Sequence, residues 1–155
     1  MSQSEIDKRY KELYAKALCI AFQAHSGQTD KGGMPYVLHP IRVSDKCTTK
    51  EAKIAALLHD VLEDSEYTAK DLREAGFPEA AVVLPVILLT RGKNESYNEY
   101  LSNISLNRTA TEVKIADLED NMNLSRLDTI TEEDIKRSKK YLRAYEKLRR
   151  KASEL

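Results

Sequence analysis

Four titratable side chains crowd into six positions of the otherwise apolar segment 56–64, where His59 and Asp60 are followed by Glu63 and Asp64. Burying such groups is costly unless they are paired, hydrogen-bonded or bound to a cation. On a continuous helix, one face would present the imidazole and the three carboxylates together, at i,i+4 spacing. This mixture suits a divalent metal ion, with carboxylates beside it that handle a water molecule. The alternative is a core helix with one satisfied histidine and three solvated acids.

Residues far from this segment in the sequence could complete such a site. His39 lies in the segment 35–40, between Leu38 and a proline. Asp117 and Asn121 share one face of a predicted helix at i,i+4, and Lys114 lies close to the same face. Two imidazoles and two carboxylates, with room for water in an octahedral shell, suit Mn²⁺ or Fe²⁺, whereas Zn²⁺ more often binds four ligands tetrahedrally. The candidate ligands are His39, His59, Asp60 and Asp117.

The order His…His-Asp…Asp resembles the HD phosphohydrolase superfamily. It is most similar to the hydrolase domain of RelA/SpoT-type alarmone enzymes and to the stand-alone small alarmone hydrolases. The resemblance extends from about Ala17 to Leu127 and rests on separated motifs in the family's order and spacing. These motifs are Ala-His-Ser-Gly-Gln at 24–28, Pro35-Tyr36 with His39-Pro40, the segment 55–64, and Lys-Ile-Ala-Asp at 114–117 with Asn121-Met122. The implied fold is all-α, an HD-domain helical bundle, and we expect one HD hydrolase domain over residues 1–155.

The resemblance also implies a role for each matching residue. The implied metal ligands are His39, His59, Asp60 and Asp117, and the implied cofactor is Mn²⁺ or another divalent transition metal. Glu63 and Asp64 would form the catalytic pair that positions or deprotonates the attacking water. The implied substrate-binding residues are Lys31, Asn121, Lys114 and Arg91. His25 is expected to pack at a helix end or behind the site rather than to bind metal.

The activity implied by the resemblance is hydrolysis of the 3′-pyrophosphate of ppGpp or pppGpp, the alarmones of the stringent response. One departure from the family pattern concerns recognition of the purine base. The family usually carries an arginine that packs on the purine at the position of Asp30, and an aspartate cannot stack in this way and repels phosphate. The metal chemistry is therefore better supported by the sequence than guanine specificity is.

Two alternative functions fit the same sequence. The first is an HD phosphatase that acts on a related nucleotide, such as an adenosine alarmone, an NADPH-type 2′-phosphate or a nucleoside monophosphate. The second is a nucleotide-sensing module without turnover. The complete set of ligands and acids argues against the second alternative, because loss of a ligand or an acid would be expected in such a module.

Composition agrees with a small enzyme that acts on a small molecule. The chain has 155 residues, a single-domain length, with 25 basic and 25 acidic residues, so no overall field attracts nucleic acid or an acidic membrane. The N-terminal residues form no signal or transit peptide, and the longest apolar run, 80–89, is too short to span a bilayer. Cys19 and Cys47 are isolated, which favours a reduced, cytoplasmic protein. The oligomeric state is left open.

The periodicity of apolar residues predicts helices connected by loops. A first helix ends near Gly27, and a glycine-rich loop follows over 28–35. A capping box from Thr48 to Glu51 starts a helix that carries the His-Asp pair, and Thr68 caps a short helix. Pro78 is predicted in the first turn of the next helix, and 82–89 is predicted as a buried, kinked helix rather than a strand. The remaining predicted helices contain Tyr97 to Ile104, Asp117, and a final segment from about Glu132 whose basic residues form a solvated outer face.

Overall fold

The computed structural model describes residues 1–154, and helices form almost all of its regular structure. The N-terminal part contains α1 (Gln3–Ala24), α2 (Leu38–Lys46), α3 (Lys50–Leu58), α4 (Val61–Asp64) and α5 (Ala69–Glu74). The C-terminal part contains a π-helical turn (Glu79–Val83), α6 (Leu84–Leu88), α7 (Tyr97–Ser105), α8 (Arg108–Asn121), a 3₁₀ turn (Leu124–Arg126) and α9 (Glu132–Ala152). Over this described range the strand-like pairing is limited to an isolated bridge between Thr29 and Pro35, so the predicted all-α class is confirmed.

Helix α3 lies at the centre of the core. All of its residues from Ile54 to Leu58 are buried, and α1, α2 and α8 pack around it. Its three alanines leave room for these helices to approach closely, which a central helix surrounded on several sides requires. Because His59 directly follows Leu58, the His-Asp pair lies at the end of this central helix, at the edge of the core.

The prediction of one continuous helix through the His-Asp pair is wrong. Helix α3 ends at Leu58, His59 and Asp60 form a turn, and the one-turn helix α4 begins at Val61. The imidazole of His59 donates from Nδ1 to the carbonyl oxygen of Ala56 at 2.6 Å, an oxygen that a continued helix would use for its next amide. The two residues therefore present their side chains from a turn, and the four groups do not form a regular helical strip.

The predicted capping box at the start of α3 is also wrong in detail. Thr49, not Thr48, is the N-cap, and its hydroxyl accepts from the amide of Ala52. The acid that satisfies the free amides comes from α8, because Glu112 accepts from the backbone N–H groups of both threonines. A tertiary contact has replaced the local bond to Glu51 that a capping box requires.

The predicted cap at Thr68 and the predicted helix around Pro85 agree with the structure. Thr68 and Thr131 each form a full capping box at the start of α5 and α9. Pro78, however, is the extended N-cap of the π-helical turn and does not lie within its first turn. Pro85 has no N–H to donate, and the helix around it is divided into the wider π-helical turn and α6, as expected of a proline in a buried helix. No helix among the described residues is long and apolar enough to cross a membrane.

Candidate metal centre and adjoining cavity

The four predicted ligands converge from three parts of the fold. His39 comes from α2, His59 and Asp60 come from the turn after α3, and Asp117 comes from α8. The Nε2 atom of His39 lies 2.9 Å from Asp117 Oδ1 and 3.7 Å from Asp60 Oδ2. The Nε2 atom of His59 lies 3.2 Å from Asp60 Oδ2 and 3.4 Å from Asp117 Oδ1. His39, His59 and Asp60 can each offer a ligand atom within 4.8 Å of the others, and Asp117 Oδ1 lies within 3.4 Å of both imidazole nitrogens.

Each imidazole has an acceptor at its outer nitrogen, while its inner nitrogen faces the carboxylates of Asp60 and Asp117. His59 donates from Nδ1 to a backbone carbonyl, and its buried Nε2 has no hydrogen-bond partner. His39 lies 2.7 Å from Asp120 Oδ2 through Nδ1 and 2.9 Å from Asp117 Oδ1 through Nε2, and donation from Nδ1 to Asp120 leaves the Nε2 lone pair to bind an ion. A carboxylate or carbonyl behind a ligating histidine is the usual arrangement at metal sites. The donor set therefore fits a divalent metal ion.

The electrostatics of the cluster also favour a cation. Burial lowers the pKa of His59, but the neighbouring Asp60 and Asp117 carboxylates outweigh this effect and raise it well above its usual value. Burial raises the pKa of Asp117, yet the Lys114 ammonium and the two imidazoles hold it well below its usual range. The carboxylates therefore stay charged at neutral pH, and positive charge from a proton or a metal ion stabilises them.

The side chains around the ligands fix their orientation. The hydroxyl of Tyr36 donates to Asp60 Oδ2 at 2.6 Å. The ammonium of Lys114 donates to Asp117 Oδ2 at 2.7 Å, and the side chain is 12% exposed. The amide of Asn121 donates to Asp117 Oδ1 at 3.1 Å. The sequence prediction grouped Lys114 with the substrate-binding residues, but its ammonium is directed to a ligand, whereas Asn121 also lines the adjoining cavity.

The predicted catalytic pair lies on α4, immediately after the turn that carries the ligands. Glu63 and Asp64 are exposed, and partial burial together with the Asp60 carboxylate raises the pKa of both. Glu63 also accepts a hydrogen bond from the backbone N–H of Arg91 at 3.3 Å. A carboxylate with a raised pKa, open to solvent beside a metal site, is suited to accept a proton from water.

Two residues of the site were missed by the sequence reasoning. Asp120 is buried, and besides facing His39 it accepts from Nε and Nη2 of Arg42 at 2.8 and 3.0 Å. Burial raises the pKa of the Asp120 carboxyl, but these bonds and the one to His39 hold it well below its usual value. A signal was present, because Asp120 lies three residues after Asp117 and Arg42 lies three residues after His39. Each missed residue therefore shares a helix face with a ligand.

A cavity of about 290 Å³ adjoins the metal centre on the side of His39. Its lining is rich in basic and polar side chains from the loop 28–35, α2, the segment after α8, and α9. The charged and polar lining residues include Asp30, Lys31, Tyr36, His39, Arg42, Asn121, Asn123, Arg126, Asp134, Arg137, Ser138 and Tyr141. This composition suits a polar, anionic small molecule with one end at the metal centre.

One wall of the cavity, called the far wall below, joins the loop 28–35 to α9 through Lys31, Asp134 and Arg137. Asp134 accepts from Lys31 at 3.4 Å and from Arg137 at 2.8 Å. The predicted residue Lys31 therefore lies at the cavity, and Arg137, one of the basic residues of α9, also lines it while its side chain is 43% exposed. Asp30 also lines the cavity, and its carboxylate accepts from the backbone N–H of Met34 at 3.0 Å.

Arg91, like Lys114, is a predicted substrate-binding residue that does not line this cavity. Its Nε donates to the carbonyl oxygen of Glu95 at 2.9 Å, and its guanidinium lies 5.7 Å from the centre of the Tyr97 ring. Only its backbone N–H contacts the site, through Glu63. The structure thus places Arg91 beside the predicted catalytic pair rather than among the residues that line the cavity.

Comparison with known proteins was made on sequence and on structure. No family model matches the chain. A guanosine-3′,5′-bis(diphosphate) 3′-pyrophosphohydrolase of Haemophilus influenzae is 46% identical over 59 residues, which cover 36% of this chain and 9% of the relative. The bifunctional (p)ppGpp synthase/hydrolase SpoT of Escherichia coli is 40% identical over 73 residues, which cover 43% of this chain and 10% of the relative. The chain spans about a tenth of the length of these curated relatives.

A solved structure is similar over nearly the whole chain. It is that of a metazoan ortholog of SpoT that hydrolyzes ppGpp, with a TM-score of 0.72, 25% identity, and 92% of each chain covered. Together with the curated matches, it confirms the resemblance to the HD-domain hydrolases of the RelA/SpoT type and the predicted helical fold.

Proposed function

We propose that this protein is a metal-dependent pyrophosphohydrolase that removes the 3′-pyrophosphate of ppGpp and pppGpp. The observation that carries the proposal is the meeting of two imidazole nitrogens and two carboxylates beside a polar, basic cavity. The similarity to proteins that hydrolyze ppGpp supports the choice of substrate. The metal-dependent chemistry is supported by the buried Nε2 of His59, which makes no well-formed hydrogen bond although it faces the carboxylates of Asp60 and Asp117.

The proposed metal ligands are His39, His59, Asp60 and Asp117, and the proposed ion is Mn²⁺ or a similar divalent transition metal. Such an ion would lower the pKa of a water molecule and draw electron density from a phosphate oxygen. Glu63, aided by Asp64, accepts the proton of the attacking water, as their exposure and raised pKa values support. Tyr36 and Lys114 keep the carboxylate ligands in place.

The proposed nucleotide site is the cavity. Lys31, Arg137 and Asn121 lie along its lining and offer positive charge and an amide to phosphate and ribose groups. Lys114 acts through Asp117, and Arg91 acts through its backbone contact with Glu63. We also propose, from the sequence alone, that residues 1–155 act as one hydrolase domain in a reducing, cytoplasmic compartment.

The test is a product analysis on protein purified without chelator. Metal content is measured first, and ppGpp is then supplied and its products are separated by chromatography. We expect about one Mn²⁺-class ion per chain and release of pyrophosphate. Turnover of a different phosphorylated nucleotide, without pyrophosphate release from ppGpp, would place the chain among the broader HD phosphatases, an alternative that Asp30 favours. Tight binding of ppGpp without any product would indicate a sensing module.

A further inference from the structure

His25 is a buried polar residue that the proposed mechanism leaves unused. It is 2% exposed and lies at the C-terminal end of α1. Its Nδ1 lies 2.9 Å from Oε1 of Gln28, and its Nε2 is buried without a hydrogen-bond partner. Burying an imidazole costs free energy unless its nitrogens are hydrogen-bonded. An apolar side chain would fill the same space without this cost.

The neighbours of Gln28 determine which nitrogen of His25 carries the proton. The side-chain amide nitrogen of Gln28 donates to two backbone carbonyls, those of Ala24 at 3.2 Å and Asp64 at 2.9 Å. Its oxygen is therefore the acceptor that faces the imidazole. His25 must donate from Nδ1, and this bond fixes the orientation of the Gln28 amide. The result is a hydrogen-bonded chain from the end of α1 to the last residue of α4.

Helix α4 needs such external support. It has four residues, from Val61 to Asp64, and a single turn has no stability of its own. The carbonyl groups at its end have no partner within the helix, and the amide of Gln28 supplies a donor for the carbonyl of Asp64. The same four residues carry both proposed proton acceptors, Glu63 and Asp64. A shift of about 1 Å in their positions can cost about 10²-fold in rate.

We propose that His25 is a positioning residue that, through Gln28, fixes α4 and its two carboxylates relative to the metal ligands. The expected effect on the reaction rests on the proposed function, whereas the contacts of His25 do not depend on it. His25 also contacts the ring of Tyr36, with centroids 5.0 Å apart, and Tyr36 donates to the ligand Asp60. The imidazole thus packs against Tyr36, which donates to a proposed metal ligand. It also donates to Gln28, which holds the end of the helix that carries Glu63 and Asp64.

The test compares His25→Leu, which removes the donor, with His25→Asn, whose side-chain amide can still donate to Gln28. Ser26→Ala is the matched control, because Ser26 is the exposed neighbour. We expect His25→Leu to lower kcat about 10- to 100-fold, with metal content retained and KM little changed. His25→Asn should recover most of the lost rate. Gln28→Leu should resemble His25→Leu, and the double variant should be no worse than either single one, because both remove one chain of bonds.

A second readout does not depend on activity. Amide hydrogen exchange of residues 61–65 should become faster in His25→Leu and Gln28→Leu but not in His25→Asn or Ser26→Ala. If the wild type does not hydrolyse ppGpp, the proposed function fails, whereas this exchange pattern still supports the contact. Unchanged exchange and unchanged kcat in His25→Leu would overturn the inference. Loss of metal in parallel with kcat would also overturn it, because His25 would then support the ligands and not α4.

Discussion

The metal centre and the far wall of the cavity are built in opposite ways. At the metal centre the side chains of His59 and Asp117 are 3% and 7% exposed, and Asp117 contacts both imidazoles, Lys114 and Asn121. At the far wall the side chains of Lys31 and Arg137 are 57% and 43% exposed, and both pair with Asp134. The centre is therefore held in one arrangement, whereas the wall consists of long side chains that can move.

This difference indicates a division of tasks. Buried groups with several partners can hold a metal ion and a reacting phosphate within the narrow limits that catalysis requires. Exposed lysine and arginine side chains contribute charge over a wider range of positions and tolerate different substrates. Substitutions at the centre should therefore act on metal binding and kcat, and substitutions at the wall should act on KM and on the choice of nucleotide.

The largest effect is expected from removing a metal ligand. His59→Ala deletes the unpartnered Nε2, and Asp117→Ala deletes the carboxylate shared by both imidazoles, so either variant should lose both metal retention and turnover. The helical circular dichroism should largely survive. Metal analysis and activity in chelator-treated buffer check this, with Arg137→Ala as the control that keeps its metal. Full activity of either ligand variant under these conditions would show that the ligand assignment is wrong.

The next largest effect separates proton transfer from metal binding. Glu63→Gln keeps the shape of the side chain and removes its negative charge, so metal content and nucleotide affinity should persist. General base catalysis is worth about 10²–10⁴ in rate, and kcat should fall by that factor. If metal and activity were lost in proportion, Glu63 would be a ligand or a structural residue.

The pH dependence of kcat provides a related check on Glu63. Its raised pKa means that the carboxylate is protonated, and unable to accept a proton, at a higher pH than an ordinary glutamate. Wild-type kcat should therefore fall with decreasing pH already above the usual range of glutamate titration, and the Gln variant should lose this part of the profile. An identical profile in both proteins would assign the titration to another group.

The convergence of the four predicted ligands could be anticipated from the sequence, whereas the residues behind them could not. Two histidines and two aspartates in a known order carry a signal in their residue types and spacing alone. Asp120 carries no such signal by itself, because an aspartate near a helix end is ordinarily solvated. Only the packing of α2 against α8 brings it to His39 and Arg42.

The same distinction holds for the fold. The capping box at Thr68 depends on Asp71, three positions later, so the cap could be predicted from the sequence. The break after Leu58 depends on a bond between the His59 ring and Ala56, and the start of α3 depends on Glu112 from a distant helix. Local patterns predict the elements well, and tertiary contacts decide where they begin and end. The roles of the predicted site residues remain predictions that the variants described here test.

A smaller effect, on metal affinity, is expected from replacing Asp120, which contacts the proposed ligand His39. Asp120→Asn removes the charge that faces His39 Nδ1 while it keeps the shape, so metal affinity should fall by about 10- to 100-fold. Competition titration against a chelator of known affinity measures this, with the exposed Asp128→Asn as the control. Arg42→Ala should weaken the metal less, because Arg42 acts only through Asp120. Unchanged affinity in Asp120→Asn would mean that the geometry of His39 is fixed by packing alone.

The smallest effect is expected at Asp30, on the discrimination between guanine and adenine nucleotides. Asp30 cannot stack on a purine, and loss of a cation–π contact of about 0.5–2 kcal/mol corresponds to a factor of roughly 2–30 in affinity. Matched guanine and adenine alarmones should therefore be hydrolysed within about that factor of each other.

Asp30→Arg should raise the guanine preference, because the backbone bond from Asp30 N–H to Met34 and the bridge between Thr29 and Pro35 keep the path of the loop. Asp30→Asn, which can still accept from the Met34 amide, is the control for the loss of charge. Chromatography of pyrophosphate release from both nucleotides measures the ratio, and a strong guanine preference in the wild type would show that the cavity recognises the base without an arginine.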